Sequence, residues 1–459
     1  MNTSELKPYK HVFFIGIGGI SMSGLAEVLN KDGKKVAGSD QNSSSITAHL
    51  QSLGIDIYEG HHADHITKDY DLVIYTAAIK DDNVEFIKAK ELGLKMMDRA
   101  TLLGHIMDGY KTSIGVAGTH GKTTTTSMLS HVMLEGNLDP TISVGGILKG
   151  IQGNFRVGTS DYFITEACEY SNSFYKFFPN ISIILNIEED HMDFFKDLDD
   201  IKQSFKHYIR NTKEDGLIIM NDTITDIASY TKDLPCRVVT VGKNPKSTYA
   251  YQNESFDDFG LSTFDLYVHQ QFIQSIHLNV TGYHNIENSL AAIAAGEFMG
   301  LSIDTIQEGL LAFRGADRRF EYKGRINDFT IIDDYAHHPT EILKTLEAVS
   351  KIKHNDLWVI FQPHTYTRTK AFFNEFVDAL KDIDHLIMMD IYAAREKDPG
   401  DINSNMIVES LSKLGTDIVY IDDFEKIKEH VLKNLKPNDM LITMGAGSVS
   451  LIGDMILDK

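Results

Sequence analysis

Cysteine is scarce in this chain. Cys168 and Cys236 are the only two in 459 residues, and no C-x-x-C pair exists. That excludes a disulfide framework and a zinc ribbon, and it fits a reducing, cytoplasmic setting. Basic residues are also short in number: 44 Lys and Arg face 65 Asp and Glu, for a formal net charge of −21. A field of that sign argues against nucleic acid or an anionic membrane surface as partner. Any anionic ligand must be held locally by glycine loops, helix ends and metal. No apolar run reaches 18 residues, so no transmembrane helix is expected. The apolar stretch Val12 to Ile20 is broken by glycines and is followed by no small-residue cleavage site. It reads as a buried strand and turn, not a signal peptide. Internal repeats, low-complexity tracts and long linkers are missing too.

What remains is an ordinary globular composition, 42% hydrophobic and 24% charged. At roughly 100–200 residues per domain, two to four domains are expected. Strand-like runs alternate with helix-like ones. His11 to Ile15, Lys35 to Gly38 and Leu72 to Tyr75 are strands, with a helix over Ser21 to Asn30. A second region begins near Gly109 and includes the strands Tyr162 to Thr165 and Ile181 to Leu185. It ends near Arg318, after an alanine-rich helix over Ile286 to Phe298. A third region has strands at Thr330 to Ile332, Leu357 to Phe361, Leu386 to Met389, Ile418 to Ile421 and Met440 to Met444. Such alternation predicts an α/β protein built of parallel βαβ units, divided as 1–108, 109–318 and 319–459.

The most informative motif is Gly118-Thr119-His120-Gly121-Lys122-Thr123-Thr124. It follows the apolar run Ser113 to Ala117 and opens a helix. A glycine turn at a helix N-terminus offers unpaired N–H groups and the positive end of the macrodipole to a phosphate. Lys122 can reach the β- and γ-phosphates and the Thr123 hydroxyl can meet Mg²⁺. The G-x-x-x-x-G-K-[ST] pattern would need glycine at Val116, so the match is to a narrower variant.

A second glycine loop, Gly16-Ile17-Gly18-Gly19-Ile20-Ser21-Met22-Ser23-Gly24, also follows a strand and precedes a helix. It suits a pyrophosphate, and Asp40 ends the next strand where an acidic residue meets a ribose hydroxyl. A dinucleotide such as NAD and a nucleotide sugar both satisfy it. Two phosphate loops on separate regions favour a transferase or ligase over a dehydrogenase. Glu166 and Glu169 lie at and just after a strand end, and Asn186 to Asp193 follow the next one. Ligands in α/β sheets sit at such ends. Glu166 is therefore a candidate Mg²⁺ ligand, and His191 is a candidate ligand for a second ion.

Taken together, several segments make the chain similar to the Mur ligases of peptidoglycan synthesis. They are Gly16 to Gly24, Gly118 to Thr124, Asn186 to Asp193, Gly282-Tyr283-His284-Asn285-Ile286-Glu287-Asn288, Arg318-Arg319-Phe320, Asp333 to Glu341, Phe361 to Arg368 and Gly445-Ala446-Gly447. The resemblance implies a Rossmann-like N-terminal domain for a UDP sugar, a central P-loop-type ATPase domain and a Rossmann-like C-terminal domain that closes over both. It implies ATP with Mg²⁺, or Mn²⁺ as the alternative ion, and UDP-N-acetylmuramate and L-alanine as substrates.

By family role, Gly118 to Thr124, Asn285, Asn288, Arg319 and Asp334 bind ATP, with the two asparagines on the adenine. Thr123, Glu166 and His191 hold metal. Gly16, Gly18, Gly19, Ile20, Ser21, Met22 and Asp40 bind the UDP sugar. Lys122, Glu166, His191, Arg319, His338 and Arg368 serve catalysis, and His364 joins His338 and Arg368 on the alanine side. The departures are Ser21 and Ala336 where glycine is frequent, Cys168 where aspartate is frequent, and Thr365 where arginine is frequent. Lys206 is out of register for the carbamylated lysine of sister ligases. The implied reaction runs through an acyl phosphate, with His191 or His338 as candidate base. Three other readings are a recycling ligase that adds a tripeptide, an NAD-dependent oxidoreductase and a non-catalytic nucleotide sensor. Monomer and homodimer both remain open.

Overall fold

A computed structural model of the chain describes residues 5–458, except residues 77, 152, 193 and 395 and the side chains of 147 and 149. Asp193 of the acidic strand-end segment therefore lies outside the described residues. The alternation read from the sequence builds three sheets. The first has five parallel strands in the order Asp56–Glu59, Lys35–Asp40, His11–Ile15, Leu72–Tyr75, Lys95–Asp98. Val12 to Ile15 are buried throughout, which is why the strand reads as a continuous apolar run. His11–Ile15 lies where the strand order reverses, so the glycine loop that follows Ile15 opens at a topological switch point.

The second sheet has ten strands: Gln271–Thr281, Leu261–Val268, Tyr249–Phe256, Arg237–Gly242, Leu217–Asn221, Ile181–Ile184, Thr112–Ala117, Tyr162–Glu166, Thr141–Leu148, Gly153–Arg156. Its middle is parallel, and both ends finish in antiparallel pairs. The third sheet runs Glu321–Ile326, Phe329–Asp334, Met440–Met444, Leu357–Phe361, His385–Met388, Ile418–Tyr420, with only the first strand antiparallel. The alanine-rich helix spans Tyr283–Phe298 and is buried along most of its length. That is why it is apolar on nearly all sides rather than on one stripe.

The two seams between these units differ in kind. One apolar cluster runs from Val12, Leu25 and Leu103 of the first unit into Phe163, Phe174 and Phe205 of the second. The approach is close: a Cβ on Gly24 would lie 2.2 Å from the Phe155 ring. The third unit keeps its apolar clusters to itself. Among the described residues of the other two units, Met192 alone packs against them. Its seam with the second unit holds a cavity and charged side chains instead.

Candidate active site

Strand register sets the site. Thr112–Ala117 lies between Tyr162–Glu166 and Ile181–Ile184, with Val116 opposite Glu166 and Ala117 opposite Ile184. The phosphate loop, Glu166 and Asn186 therefore leave the sheet along one edge. Gly121 caps the helix Lys122–Glu135 at φ 86°, a left-handed conformation that favours glycine. Asn186 buttresses the loop. Its carbonyl accepts from the Thr119 amide at 3.3 Å and its Oδ1 from the His120 amide at 2.8 Å. The first-turn amides of Lys122, Thr123 and Thr124 have no intrahelical acceptor and face the position of a phosphate.

Lys122 Nζ donates to the Gly118 carbonyl at 2.5 Å and to both Glu169 oxygens, at 3.1 and 3.0 Å. Burial alone would lower its pKa, but the Glu169 carboxylate raises it above the usual lysine value. His191 Nε2 stands 3.6 Å from Glu169 Oε1. Burial lowers the His191 pKa, so the ring is neutral and free to ligate metal. Glu166 Oε1 accepts from the Gly145 amide at 2.6 Å, and the next residue, Gly146, lies against the Thr123 methyl. Thr123 and Glu166 thus flank one Gly-Gly step. Among the described residues, no three His, Cys, Asp or Glu side chains converge as a finished metal cage. A hydroxyl, a carboxylate and a neutral imidazole beside a phosphate cradle still fit Mg²⁺, which takes few protein ligands and completes its shell with phosphate and water. Cys168 sits beside this group, and burial pushes its thiol up to about 11, so it stays protonated.

A cavity of about 650 Å³ opens between the second and third units. His120, Gly121, Thr124, Asn285, Asn288, Arg319 and Asp334, seven of the residues expected at ATP, all line it. Asn285 Nδ2 donates to the Thr281 carbonyl at 2.7 Å, and its Oδ1 accepts from Asn288 at 3.4 Å. Asp334 accepts from the Phe320 and Ala336 amides, and burial pushes its carboxyl up to about 6 despite the nearby Arg319.

The third unit also brings histidines and an arginine to this seam, with the His338 ring 5.0 Å from that of His120. His338 caps the helix Pro339–Val349 through Nδ1, and its buried Nε2 has no hydrogen-bond partner among the described residues. Burial and the neighbouring His120 bring its pKa down to about 4. Arg368 donates to Asp190 Oδ1 at 2.9 and 3.2 Å across the seam and touches His364 at 3.3 Å. Glu341 Oε1 is 3.1 Å from His120 Nδ1 and 3.7 Å from Arg319, while Oε2 accepts from the His337 amide at 3.1 Å.

The N-terminal loop stands apart from these groups. Gly18 donates its amide to Asp40 Oδ2 at 2.8 Å, so Asp40 braces the loop. Gly16 is left-handed, Gly19 caps the helix Ile20–Lys31 without a side-chain bond, and Ile20 is exposed. Ser21 Oγ accepts from Arg99 at 3.0 Å. Met22 is buried in the core, so only its backbone can meet a ligand.

Three family models cover the chain in order. They are the Mur ligase family catalytic domain over residues 11–111, the Mur ligase middle domain over 116–296, and the Mur ligase glutamate ligase domain over 318–447. A UDP-N-acetylmuramate–L-alanine ligase of Lachnoclostridium phytofermentans is 50% identical over 459 residues, 98% of each chain. The chain belongs to the Mur ligase family. Among solved structures, the UDP-N-acetylmuramate–alanine ligase of Thermotoga maritima matches with a TM-score of 0.80 at 29% identity, over 98% of both chains. A murein peptide ligase of Psychrobacter arcticus matches at 0.69 and 25%, also over 98% of both. The alanine ligase is ahead of the peptide ligase on both measures, which places this Mur ligase on the alanine-adding branch. No helix among the described residues is long and apolar enough to cross a membrane.

Several groups in this Mur ligase carry geometry that residue types did not announce. Glu341 stands inside a recognised segment and Glu169 just past a strand end, yet nothing in their spacing foretold contacts to His120 and Lys122. Arg99 lies in no glycine motif and is signalled by nothing in the sequence. Asp190 precedes a candidate metal histidine, and it holds Arg368 at 2.9 Å.

Proposed function

We propose that this Mur ligase joins L-alanine to the lactyl carboxylate of UDP-N-acetylmuramate with ATP, as a cytoplasmic step of peptidoglycan precursor synthesis. The observation that carries the reading is the 50% identity to an alanine ligase over nearly the whole of both chains. The units we assign are 1–108 for the UDP sugar, 109–318 for ATP, and 319–459 for alanine and closure.

A carboxylate and an amine do not condense in water, so the carboxylate is activated first. One of its oxygens attacks the γ-phosphorus, the bond to ADP breaks, and an acyl phosphate forms. The alanine nitrogen then attacks the acyl carbon, the carbon–oxygen bond to phosphate breaks, and the nitrogen loses a proton. Lys122 and the amides of Lys122, Thr123 and Thr124 stabilise charge on the transferred group. Asn285 and Asn288 face the adenine, with Arg319 and Asp334 at the far side of the nucleotide. Mg²⁺, or Mn²⁺ in its place, supplies charge neutralisation on the phosphates and would be held by Thr123, Glu166 and His191. Arg368 and His364 face the carboxylates of the two acids. His338 is neutral with a buried, unpartnered Nε2, the state a group must have to take the amine proton. Closure of the third unit keeps water from the acyl phosphate.

The test is phosphate release from ATP with UDP-N-acetylmuramate, alone, with L-alanine, and with the tripeptide L-alanyl-γ-D-glutamyl-meso-diaminopimelate. Release that requires alanine supports the reading. Release with the tripeptide only assigns the chain to the peptide-adding branch, and no release in any mixture overturns both.

A further inference from the structure

The third unit meets the phosphate loop at His120, whose ring faces the His338 ring at 5.0 Å and bonds Glu341. Glu341 lies in the first turn of the helix Pro339–Val349, where the helix dipole favours an anion. Its Oε1 is 3.1 Å from Nδ1 of His120, which belongs to the second unit. The other imidazole nitrogen, Nε2, stands 3.5 Å from Glu188 Oε2 of its own unit. The ring is thus clamped between one carboxylate from each side of the seam, and both His120 and Glu341 are buried or nearly so. Glu341 also holds the hinge side, through Arg319 at 3.7 Å and the His337 amide at 3.1 Å. Few apolar contacts cross this seam, in contrast to the continuous apolar cluster that joins the first and second units. Charged contacts therefore decide how the third unit seats.

We infer that Glu341 is a positioning residue for phosphoryl transfer: on closure it captures the His120 ring and thereby fixes the phosphate loop. The lever is short. The His120 amide is tied to Asn186, Gly121 lies where an added Cβ would come within 2.8 Å of Asn288, and Lys122 follows. A displacement of the His120 ring is passed to a loop whose other end carries the phosphate-binding lysine. A misplacement of about 1 Å at such a site costs on the order of a hundredfold in rate. Glu341 touches the loop and the hinge, not the reacting atoms, so its effect belongs in turnover at saturating substrate. Binding of the nucleotide end of the UDP sugar, which we place on the first unit, does not involve it.

The experiment compares Glu341→Gln, His120→Gln and the double variant, with folding checked by thermal melting. Each single variant is expected to lower kcat roughly tenfold or more while leaving KM for UDP-N-acetylmuramate within about twofold. The double variant should lose no more than the worse single one, because both remove one contact. Small-angle scattering supplies a readout independent of turnover. With a non-hydrolysable ATP analogue and UDP-N-acetylmuramate, the wild type should contract and Glu341→Gln should contract less. Single-variant kcat within about twofold of wild type, losses that multiply in the double variant, or equal contraction would each overturn the assignment. Should Glu341→Gln melt early, His120→Gln carries the same comparison from the other side of the contact. Alanine-dependent phosphate release by the wild type is read separately, so a failure of the ligase reading is not confused with a failure of this one.

Discussion

Lys122 is held by both oxygens of Glu169, at 3.0 and 3.1 Å, in the cradle where a phosphate would sit. The pair keeps a buried lysine charged and the cradle in shape until a nucleotide supplies its own negative charge. Lys122→Ala should lower kcat on the order of 10³-fold, the scale of losing a preorganised charge at a transferring group. Far-UV circular dichroism should be unchanged. Activity within about tenfold of wild type would remove Lys122 from the phosphate site. Glu169→Gln keeps the shape and removes the charge. Its expected effect is a raised KM for ATP with a smaller change in kcat, measured by phosphate release.

The seam around His120 titrates in a predictable direction. Burial alone would lower its pKa, but the carboxylates of Glu341 and Glu188 raise it to about 9, and the His338 ring beside it, neutral in this range, adds no charge. A folded value above the unfolded 6.5 means that protonation stabilises the fold. That stability is fully present below pH 6.5 and is lost as pH rises through about 9. Melting curves across this window should show a steeper fall for wild type than for His120→Gln. Parallel falls would mean that the imidazolium does not bridge the seam.

How much of this was legible beforehand follows from burial. Strands such as Val12 to Ile15 and Ile181–Ile184 are buried on both faces, so their composition alone announces them. The antiparallel strands Tyr249–Phe256 and Leu261–Val268 alternate buried and partly exposed residues at the sheet's end, and they carry no continuous apolar run to read. The phosphate loop was legible because its chemistry is local, with the glycine, lysine and threonines adjacent in sequence. The contacts His120–Glu341 and Arg368–Asp190 join residues 221 and 178 positions apart. Pairing at such separations is decided by how the third unit seats, which no local pattern encodes.

Glu166 gives a direct test of the metal expectation. Its Oε1 accepts the Gly145 amide, which fixes the carboxylate at the strand end beside Thr123. Glu166→Ala should raise the Mg²⁺ concentration for half-maximal rate by about 10–100-fold, the usual scale for losing a group that holds or orients a metal. The reading is a Mg²⁺ titration at saturating ATP. An unchanged midpoint would exclude Glu166 from the metal site, and an unchanged midpoint for His191→Ala would do the same for His191.

Gly24 sits at the end of the N-terminal glycine segment, yet packing rather than ligand contact accounts for it. It lies in the helix Ile20–Lys31, is buried, and faces Phe155 of the second unit, with room for no side chain: a Cβ would come within 2.2 Å of the ring. Phe155 packs against the apolar cluster that joins the two units, and the neighbouring Arg156 ties its strand to the Pro140 carbonyl at 2.9 Å. Gly24→Val should therefore destabilise the chain by about 1–3 kcal/mol through overpacking at the first seam. The KM for UDP-N-acetylmuramate in the surviving folded fraction should stay near wild type. Adding Phe155→Ala opens the space and should recover part of the loss in melting temperature, because the two sites share one contact. If Gly24→Val instead melts like wild type and raises that KM, Gly24 belongs to the ligand and the helix has room that the contact with Phe155 denies.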